Sequence, residues 1–417
     1  MPEIKPFNGW RYDGRRAGNT AKLVAPPYDI ISPAQQEKLY RDNPYNAIRL
    51  ELAKDMPGDS ASSNKYSRAA DTLSSWKSKG ILVRESKPAL YVYEQVYKEG
   101  AKTQVRLGFM AAMKADESAV KKHEDTLAGP KEDRLKLLGA TRTNLSPIWG
   151  LFEDPVGTVH AALKKSLKQK PVSDVLLDGV RHRLFVETRP EVIQAVTRAM
   201  KPKPMFIADG HHRFETASRF SREDGKPGSQ YVLTYFSDVR HNPFKIYPTH
   251  RLLNVDASKK SFAVLEPLGK LEKVTSLSVL LKRLEKNRTQ MGKAPYDVGL
   301  YSKKEGFKIL VIDPKVSKPL AKGPVERLDV AMLHRAIVGP VYGITAIEKS
   351  PSIDFTRDAQ EAVDKVSAGQ WNLALFLRPT SLDEMILASK KGLKMPQKST
   401  YFYPKLLTGL VFRGLDG

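Results

Sequence analysis

The sequence predicts an α+β fold with mixed sheets, and three observations indicate it. Strand-like and helix-like segments both recur along all 417 residues, so neither an all-helical nor an all-strand protein fits. Some neighbouring strands are separated by a tight turn, as in antiparallel hairpins, whereas others are separated by a helix, as in parallel pairs. Neither G-x-G-x-x-G nor G-x-x-x-x-G-K-S/T occurs, so a doubly wound nucleotide-binding fold is not expected.

The first quarter of the chain is proline-rich at its start and hairpin-like at its end. Leu23–Ala25 is typical of a short strand. A helix is expected after Ser32, which suits the N-cap, because Pro33 fits the first helical position and Gln35 completes a capping box. Hydrophobic periodicity then predicts a half-buried strand over 47–52, a helix over 66–79 and a hairpin of strands 89–97 and 104–110.

Strands and helices alternate more regularly after residue 120. Predicted strands lie near 145–152, 173–178, 182–187, 204–207, 231–236, 297–301, 307–311 and 373–377. One predicted helix ends near residue 138, and others lie near 157–170, 190–200, 214–220, 276–286, 328–336 and 357–367. A chain of this length has room for two or three hydrophobic cores. We expect 1–237 to form an N-terminal α+β region and 238–417 a C-terminal α/β region, whose tail, 395–405, returns to the site of the first.

The composition is that of a globular protein with a strong positive charge. Hydrophobic residues make up 41% of the chain and charged residues 28%, and 69 lysines and arginines against 46 acidic residues give a net charge of +23. Such a charge attracts polyanions, either nucleic acid or a phosphate-bearing ligand. No zinc-finger pattern, RNP aromatic pair or long basic arm occurs, so nucleic acid is the less favoured partner.

The absence of cysteine excludes several kinds of site. It excludes disulfides, thiolate metal sites and a cysteine nucleophile. No run approaches the roughly eighteen apolar residues of a membrane span, and the first residues lack a signal-peptide pattern. We therefore expect no membrane partner and a cytoplasmic location.

One turn, Ala208–Arg213, carries a carboxylate, two imidazoles and a guanidinium between a strand-like run and a helix-like segment. A strand, a glycine turn and a helix N-terminus together present backbone N–H groups to an anion. Asp209 can hold a metal ion or accept a proton, and Arg213 can bind phosphate through parallel N–H groups. The candidate catalytic groups of the turn are Asp209 and His211, and the candidate phosphate-binding groups are Gly210, His212 and Arg213. An aspartate-capped helix start with surface histidines is the alternative interpretation.

Three further segments carry candidate functional residues. The candidate acid and base groups are His123 and Glu124, and the candidate phosphate-binding groups are Lys131, Arg134, His250, Arg251, Lys398, Ser399 and Lys405. Aromatic and basic residues interleave in 397–405, as in segments that stack a base and bind phosphates. Each segment also fits a solvated loop, a surface pair or a closing tail, and spacing leaves both interpretations open.

The histidines do not predict a transition-metal site. Adjacent histidines such as His211 and His212 diverge, and the helical H-E-x-x-H spacing is missing. We expect Mg²⁺ instead, held by Asp209 and by substrate phosphates, because Mg²⁺ prefers oxygen ligands.

Several short motifs recur together in one protein family. They are Val24–Asp29, Tyr45–Leu50, His123-Glu124 with Gly129–Arg134, Asn144–Ile148, Ala208–Arg213, Pro248–Arg251 and Gln397–Lys405. In these motifs the chain resembles the bacterial and archaeal domain of unknown function 1015 (DUF1015). The resemblance runs from near residue 4 to near residue 413 and implies no settled reaction.

A second resemblance is confined to the turn. Asp209-Gly210-His211-His212-Arg213, entering a helix, is similar to the phosphate-binding box of the ParB/sulfiredoxin superfamily, in the form found in archaeal free-serine kinases. It implies a ParB/sulfiredoxin-like core, with the residues after Asp209 around nucleotide phosphates and Asp209 orienting the metal or the phosphoryl group. It also implies a glutamate base on the substrate hydroxyl, for which Glu51 and Glu124 are the candidates.

Together these features predict a nucleotide-binding phosphotransferase that acts on a small hydroxylated metabolite such as serine. Such a protein is an ATP- or ADP-dependent small-molecule kinase or an NTP hydrolase, with the nucleotide as co-substrate. The alternatives are a nucleotide-regulated nucleic-acid-binding protein of ParB type and a metal-dependent phosphatase. We expect one cleft to hold His123, Asp209, His250 and Lys398. The nucleotide, the acceptor and the oligomeric state stay open.

Overall fold

Two sheets, each in its own unit of the chain, organise the fold. The structure is a computed structural model that describes residues 2–124, 128–286, 296–347 and 350–416. The first unit comprises Met1–Lys122, Thr126–Phe244 and Pro404–Gly417, and the second comprises His123–Asp125 and Lys245–Tyr403. The first unit is therefore built from three separate stretches of chain, and its last stretch comes from the end of the sequence.

Strands and helices are interspersed along both units. The strands of the first unit are β1 (Ile4–Lys5), β2 (Trp10–Tyr12), β3 (Leu82–Arg84), β4 (Leu90–Glu99), β5 (Lys102–Lys114), β6 (Val120–Lys121), β7 (Thr143–Asn144), β8 (Ile148–Phe152), β9 (Ser173–Leu177), β10 (Val180–Glu187), β11 (Met205–Asp209) and β12 (Tyr231–Asp238). Its α-helices are α1 (Gly14–Ala17), α2 (Pro33–Asp42), α3 (Ile48–Glu51), α4 (Lys65–Ser78), α5 (Ala128–Thr141), α6 (Thr158–Ser166), α7 (Pro190–Met200) and α8 (His211–Asp224).

The second unit also contains strands interspersed with helices. Its strands are β13 (Lys245–Tyr247), β14 (His250–Leu253), β15 (Gly269–Lys273), β16 (Tyr296–Ser302), β17 (Gly306–Ile312), β18 (Ile353–Thr356), β19 (Leu373–Phe376) and β20 (Tyr401–Tyr403). Its α-helices are α9 (Leu277–Lys286), α10 (Pro314–Leu320), α11 (Asp329–Leu333), α12 (Ala359–Ser367) and α13 (Leu382–Lys390), and β21 (Arg413–Gly414) then belongs to the first unit. Within the described residues, no helix is long and apolar enough to span a bilayer.

The sheet of the first unit is mixed. Among the described residues it has nine strands in the order β6-β11-β8-β12-β5-β4-β10-β9, with β1 also paired to β5. The pairs β6–β11 and β8–β12 are parallel, and the other neighbours are antiparallel. The predicted hairpin around Glu99-Gly100 is confirmed as β4 and β5. The predicted α+β class with mixed sheets is likewise confirmed, whereas the ParB/sulfiredoxin-like core stays a prediction.

The two faces of this sheet carry different side chains. On one face, residues such as Val92 and Phe109 pack with Val159 of α6, Val196 of α7 and Phe214 of α8 in one apolar cluster. Because successive strand residues point to opposite faces, the intervening residues of β4 and β5 face the other way. That second face is buried too, but it is aromatic and polar, as described below.

The second unit has its own antiparallel sheet. Within the described ranges it has six strands in the order β15-β17-β16-β19-β14-β18. Leu252 of β14 and Phe376 of β19 pack with Leu280 of α9 and Val366 of α12 in a separate apolar cluster. The unit therefore has a hydrophobic core of its own.

The strand predicted over 47–52 is wrong, because this segment forms the short helix α3. Asn46 decides the local geometry: its amide donates to the carbonyls of Lys22 (2.8 Å) and Val24 (3.1 Å), and its Oδ1 accepts from the N–H of Ile48 at 2.9 Å. Such side-chain bonds to the backbone compete with a strand ladder. The strand predicted over Leu23–Ala25 is reduced to a single bridge between Ala25 and Thr408. Glu51 consequently lies at the end of a helical turn.

The division into units differs from the predicted boundary between residues 237 and 238. The chain passes from the first unit to the second after Phe244, and returns at Pro404. A compact unit is not necessarily a domain that folds alone, so the predicted domain organisation stays a prediction.

Gly108 on β5 provides a test of the sheet packing. An alanine methyl group there would lie 2.3 Å from the carbonyl oxygen of Phe236 and 2.5 Å from the ring of Tyr235. Because the carbonyl belongs to the neighbouring strand, it cannot retreat without disturbing the ladder. We expect Gly108→Ala to lose about 1–3 kcal/mol of unfolding free energy in urea denaturation. Gly14→Ala is the control, since nothing lies within 4 Å of its new methyl group. Equal stability of Gly108→Ala and wild type would contradict the close approach of β5 and β12.

Candidate functional site

The turn between β11 and α8 has the geometry of an anion site. A register shift in the pairing of β11 with β8 precedes Asp209, and Gly210 has φ +90° and ψ +31° as the N-cap of α8. As a glycine, this N-cap residue has no side chain with which to cap the helix. Backbone N–H groups at a helix N-terminus, together with the helix dipole, favour a bound anion. The predicted strand–glycine–helix arrangement is therefore what the chain forms.

Asp209 lies between two cations. Its Oδ2 accepts from Arg213 Nη2 at 2.7 Å, and its Oδ1 contacts the ammonium group of Lys405. The three side chains are 15%, 11% and 13% exposed, so their charges are only partly screened by water. Arg213 also donates to the carbonyl of Pro147 at 2.5 Å. Two cations thus converge at a helix N-terminus, with one carboxylate between them.

Gly210 is required here for two reasons. Its positive φ disfavours residues with a Cβ atom, and an added methyl group would lie 3.0–3.1 Å from the guanidinium of Arg213. The glycine therefore gives Arg213 the space to fold back over the turn toward Asp209.

A small cavity adjoins the turn. It has a volume of about 50 Å³ and is lined by Glu51, Arg134, Leu137, Leu138, Thr143, Asn144, Leu145, Ser146, Arg213, Thr216, Ala217 and Val232. At one wall, Glu51 Oε1 accepts from Arg134 Nη1 at 3.2 Å and from Ser146 Oγ at 3.0 Å. A cavity of this size holds a few waters or a small polar group and is too small for a nucleotide.

Burial sets the protonation behaviour of the cavity wall. Loss of solvation raises the pKa of Glu51, against the opposing charges of Arg134 and Arg213 and the hydrogen bond from Ser146. Burial also raises the pKa of Tyr28 to about 12, again opposed by Arg213 and Arg134. Tyr28 stacks under Arg134, with 4.2 Å between the guanidinium carbon and the ring centre. The charge of Arg213 thus lowers the pKa of both Glu51 and Tyr28. The groups at the cavity wall are therefore electrostatically coupled to the turn.

The two predicted phosphate-binding residues of α5 are engaged in ion pairs. Arg134 pairs with Glu51 and, at 2.5 Å, with Asp133; burial alone would lower its pKa, but these two carboxylates raise it. Lys131 pairs with Glu215 at 3.3 Å and is 35% exposed. Arg134 therefore supports Glu51 directly, whereas Lys131 lies nearer to solvent.

The predicted acid and base residues His123 and Glu124 belong to the second unit. His123 is buried, with Nε2 3.2 Å from Thr400 Oγ1, and Glu124 Oε1 accepts from the same hydroxyl at 3.4 Å. In the same tail, Ser399 is buried and donates to the carbonyl of Pro396, and Lys398 has φ +57°. The structure therefore brings His123 and Glu124 together with the tail around Thr400.

His250 and Arg251 are buried on β14. Loss of solvation and the neighbouring Arg251 lower the pKa of His250 to about 3, so this histidine is neutral at pH 7. Burial also lowers the pKa of Arg251 to about 9, and its Nε donates to Nε2 of His334 at 3.3 Å. Their role as phosphate ligands stays a prediction, as does the shared cleft, which joins residues of both units.

Comparison with known proteins assigns the family. The family described as "Protein of unknown function (DUF1015)" matches residues 4–331. The chain belongs to DUF1015. The predicted family is thereby confirmed. No curated protein matches this DUF1015 chain.

Three solved structures resemble the DUF1015 chain at low similarity. They are SbnI with a C-terminal truncation from Staphylococcus aureus (12% identity, TM-score 0.37, 72% of this chain and 85% of that one), a free serine kinase in complex with AMP (11%, 0.37, 73% and 92%) and a conserved hypothetical protein from Pyrococcus furiosus (12%, 0.36, 73% and 95%). Similarity this low does not carry an activity across to this chain.

The donor set of the DUF1015 chain fits a protein-held metal poorly. Among the described residues, no group of three or more histidine, aspartate or glutamate side chains is placed to hold an ion. Both oxygens of Asp209 face cations. Binding of the predicted Mg²⁺ therefore stays a prediction.

The sequence pointed to Glu51 only through a resemblance, and it missed Ser146 and Tyr28 as parts of the site. Ser146 precedes a proline in Asn144–Ile148, and Tyr28 follows two prolines in Val24–Asp29. Both lie in motifs of the DUF1015 resemblance, which was the signal that could have found them.

Gly210 and Gly225 cap the two ends of α8 and form a matched pair for a test. Both have positive φ, but nothing lies within 4 Å of a methyl group on Gly225. We expect Gly225→Ala to lose about 1 kcal/mol of stability through the backbone alone. Gly210→Ala should lose more, because its methyl group also displaces Arg213. Urea denaturation of both variants measures the difference, and equal losses would contradict the packing of Arg213 over the turn.

Glu51 makes a pH-dependent contribution to stability. Its pKa is raised in the folded state above the ordinary value of 4.5, so the folded chain holds this proton more tightly than the unfolded chain does. Wild type should therefore lose stability relative to Glu51→Gln as the pH rises from 4.5 through the folded pKa. The difference in Tm between the two proteins, measured at successive pH values, checks this. A difference that grows in favour of wild type with rising pH would show the opposite shift.

Proposed function

We propose that the DUF1015 chain is a nucleotide-dependent phosphotransferase whose acceptor is a small hydroxylated metabolite such as serine. The observation that carries the proposal is the convergence of Arg213 and Lys405 on Asp209 at the start of α8. Two cations and a row of backbone N–H groups suit a phosphate chain, and phosphoryl transfer needs mainly positioning and charge neutralisation.

In the proposed reaction, the acceptor oxygen attacks the terminal phosphorus of the nucleotide. An oxygen–phosphorus bond forms, the bond from phosphorus to the bridging oxygen breaks, and the shortened nucleotide leaves. Arg213 and Lys405 neutralise the charge on the phosphoryl oxygens, while Gly210, His211 and His212 supply the start of α8. Asp209 keeps both cations directed toward the turn before the nucleotide binds.

Glu51 is the proposed base that takes the proton of the acceptor hydroxyl. It borders the same cavity as Arg213, and its raised pKa favours proton uptake. Ser146 and Arg134 hold its Oε1 from two sides. The cavity admits a small polar group such as a hydroxymethyl group, which agrees with a small acceptor. Glu124, in the second unit, is the remaining candidate for this role.

The first experiment is thermal unfolding of the wild type with a panel of nucleotides, each with and without Mg²⁺. A ligand at a hundred times its Kd stabilises the folded state by about 2.7 kcal/mol. We expect one nucleotide to raise Tm, and Arg213→Ala and Lys405→Ala to abolish the shift, because each loses a phosphate-binding cation.

Arg219→Ala is the matched control, since Arg219 lies on the same helix in exposed pairs with Glu132 and Glu223. Its nucleotide-induced shift should equal that of wild type. Formation of a phosphorylated acceptor, followed by ³¹P NMR with serine and the stabilising nucleotide, then tests the transfer, and Glu51→Gln should abolish it. If no nucleotide raises Tm, the proposal is refuted, and the metal-dependent phosphatase and the nucleic-acid-binding protein remain as alternatives.

A further inference from the structure

We propose that Gln95 and Arg106 are positioning residues that hold the Pro404-Lys405 backbone so that the ammonium group of Lys405 meets Asp209. The inference rests on the proposed function, in which Lys405 binds a nucleotide phosphate. Gln95 and Arg106 belong to the first unit, and the sequence predicted no role for either.

Gln95 and Arg106 belong to a polar row across the second face of the first unit's sheet. Gln95 on β4 is the register partner of Arg106 on β5 and of His182 on β10. All three side chains are buried, with Gln95 and Arg106 at 0% exposure. Tyr93, two residues before Gln95, contacts His182 Nδ1 through its hydroxyl at 2.5 Å. Buried polar side chains in such a row must be held by specific partners.

The partners of this row are backbone carbonyls of the returning chain. Arg106 donates to the carbonyl of Pro404, and its Nε donates to Gln95 Oε1 at 3.0 Å. The Nε2 of Gln95 donates to the carbonyl of Lys405 at 2.9 Å. Because one amide accepts from Arg106 and donates to Lys405, its orientation is fixed. Two successive carbonyls of the segment are thereby held in place.

Arg106 also supports the strand beside Asp209. Its guanidinium carbon lies 4.0 Å from the ring centre of Trp149, and Trp149 is the register partner of Asp209 in the β8–β11 pairing. Trp149 is held in turn by its Nε1–H, which donates to Ser237 at 2.8 Å. The same guanidinium therefore touches the chain segments that bring Lys405 and Asp209 together.

The fold keeps this cation at a cost. Burial lowers the pKa of Arg106, and burying a guanidinium stabilises a protein less than apolar side chains of the same volume would. Apolar side chains at positions 95 and 106 would be enough if these positions served packing alone. The polar row instead provides donors aimed at the carbonyls on either side of the Pro404-Lys405 junction, which indicates a positioning role.

Gln95→Glu separates positioning from stability. The new carboxylate still accepts from Arg106 and gives this buried cation an opposite charge, which offsets part of the stability lost with the hydrogen bond to Lys405, so the variant should stay folded. It cannot donate to the carbonyl of Lys405, however, and its oxygen would face that carbonyl. We therefore expect Lys405 to be released from Asp209 in a protein that is fully folded.

The measurement is the rate of acetylation of individual lysines by an amine-reactive ester, followed by peptide mass spectrometry. Lys405 is 13% exposed and engaged with Asp209, so it should react slowly in wild type and severalfold faster in Gln95→Glu. Lys122 is the internal reference, because it is 18% exposed and paired with Glu117 and Glu215. Its rate should not change.

Gln230→Glu is the control variant, since Gln230 is exposed and the substitution is the same. Unchanged acetylation of Lys405 in folded Gln95→Glu overturns the inference.

If that variant fails to fold, Gln95→Met provides the same test, because it also lacks a donor for the Lys405 carbonyl. A nucleotide titration distinguishes this inference from the proposed function. If Lys405 reacts faster in Gln95→Glu but the wild type binds no nucleotide, only the phosphotransferase is refuted. If the Kd for the nucleotide is severalfold higher in Gln95→Glu than in wild type, both proposals are supported.

Discussion

The carboxylate of Asp209, held between Arg213 and Lys405, is the interaction on which the candidate site depends. It joins residues that are 196 positions apart in the chain and places them at the start of α8. The carboxylate balances the charge of two cations, and in the proposed function the same two cations bind a phosphate. The glycine that precedes α8 provides the room for this arrangement, because Arg213 folds back across its Cα.

Two groups of buried polar residues support the segments that meet at this interaction. In one group, Glu51 has Arg134 and Ser146 as partners at the wall of a small cavity. In the other, Gln95 and Arg106 hold the carbonyls of the returning segment. In both groups a costly buried charge is compensated by directed hydrogen bonds, which fix the geometry more tightly than apolar contacts would. Such preorganisation is what phosphoryl transfer requires of a protein.

Sequence periodicity predicted the long elements well and the short ones poorly. The hairpin of β4 and β5 and the strand–glycine–helix turn were predicted, because alternation over many residues and a glycine before a helix are strong local signals. Residues 47–52 were predicted as a strand and form a helical turn, since hydrogen bonds of Asn46 to Lys22 and Val24 override a six-residue pattern. Those bonds join distant segments and leave no trace in local periodicity.

The sequence alone determined the DUF1015 membership, the α+β class and the chemical character of the turn, because these follow from motifs, periodicity and residue types at fixed spacing. Only the tertiary structure decided which distant groups the turn uses. Lys405 reaches Asp209, and Glu51 faces Arg134 and Ser146, whereas His250, an equally plausible polar residue in the sequence, is buried and neutral. The physical reason is that burial and ion pairing depend on how the folded chain packs, which here joins residues 83, 95 and 196 positions apart.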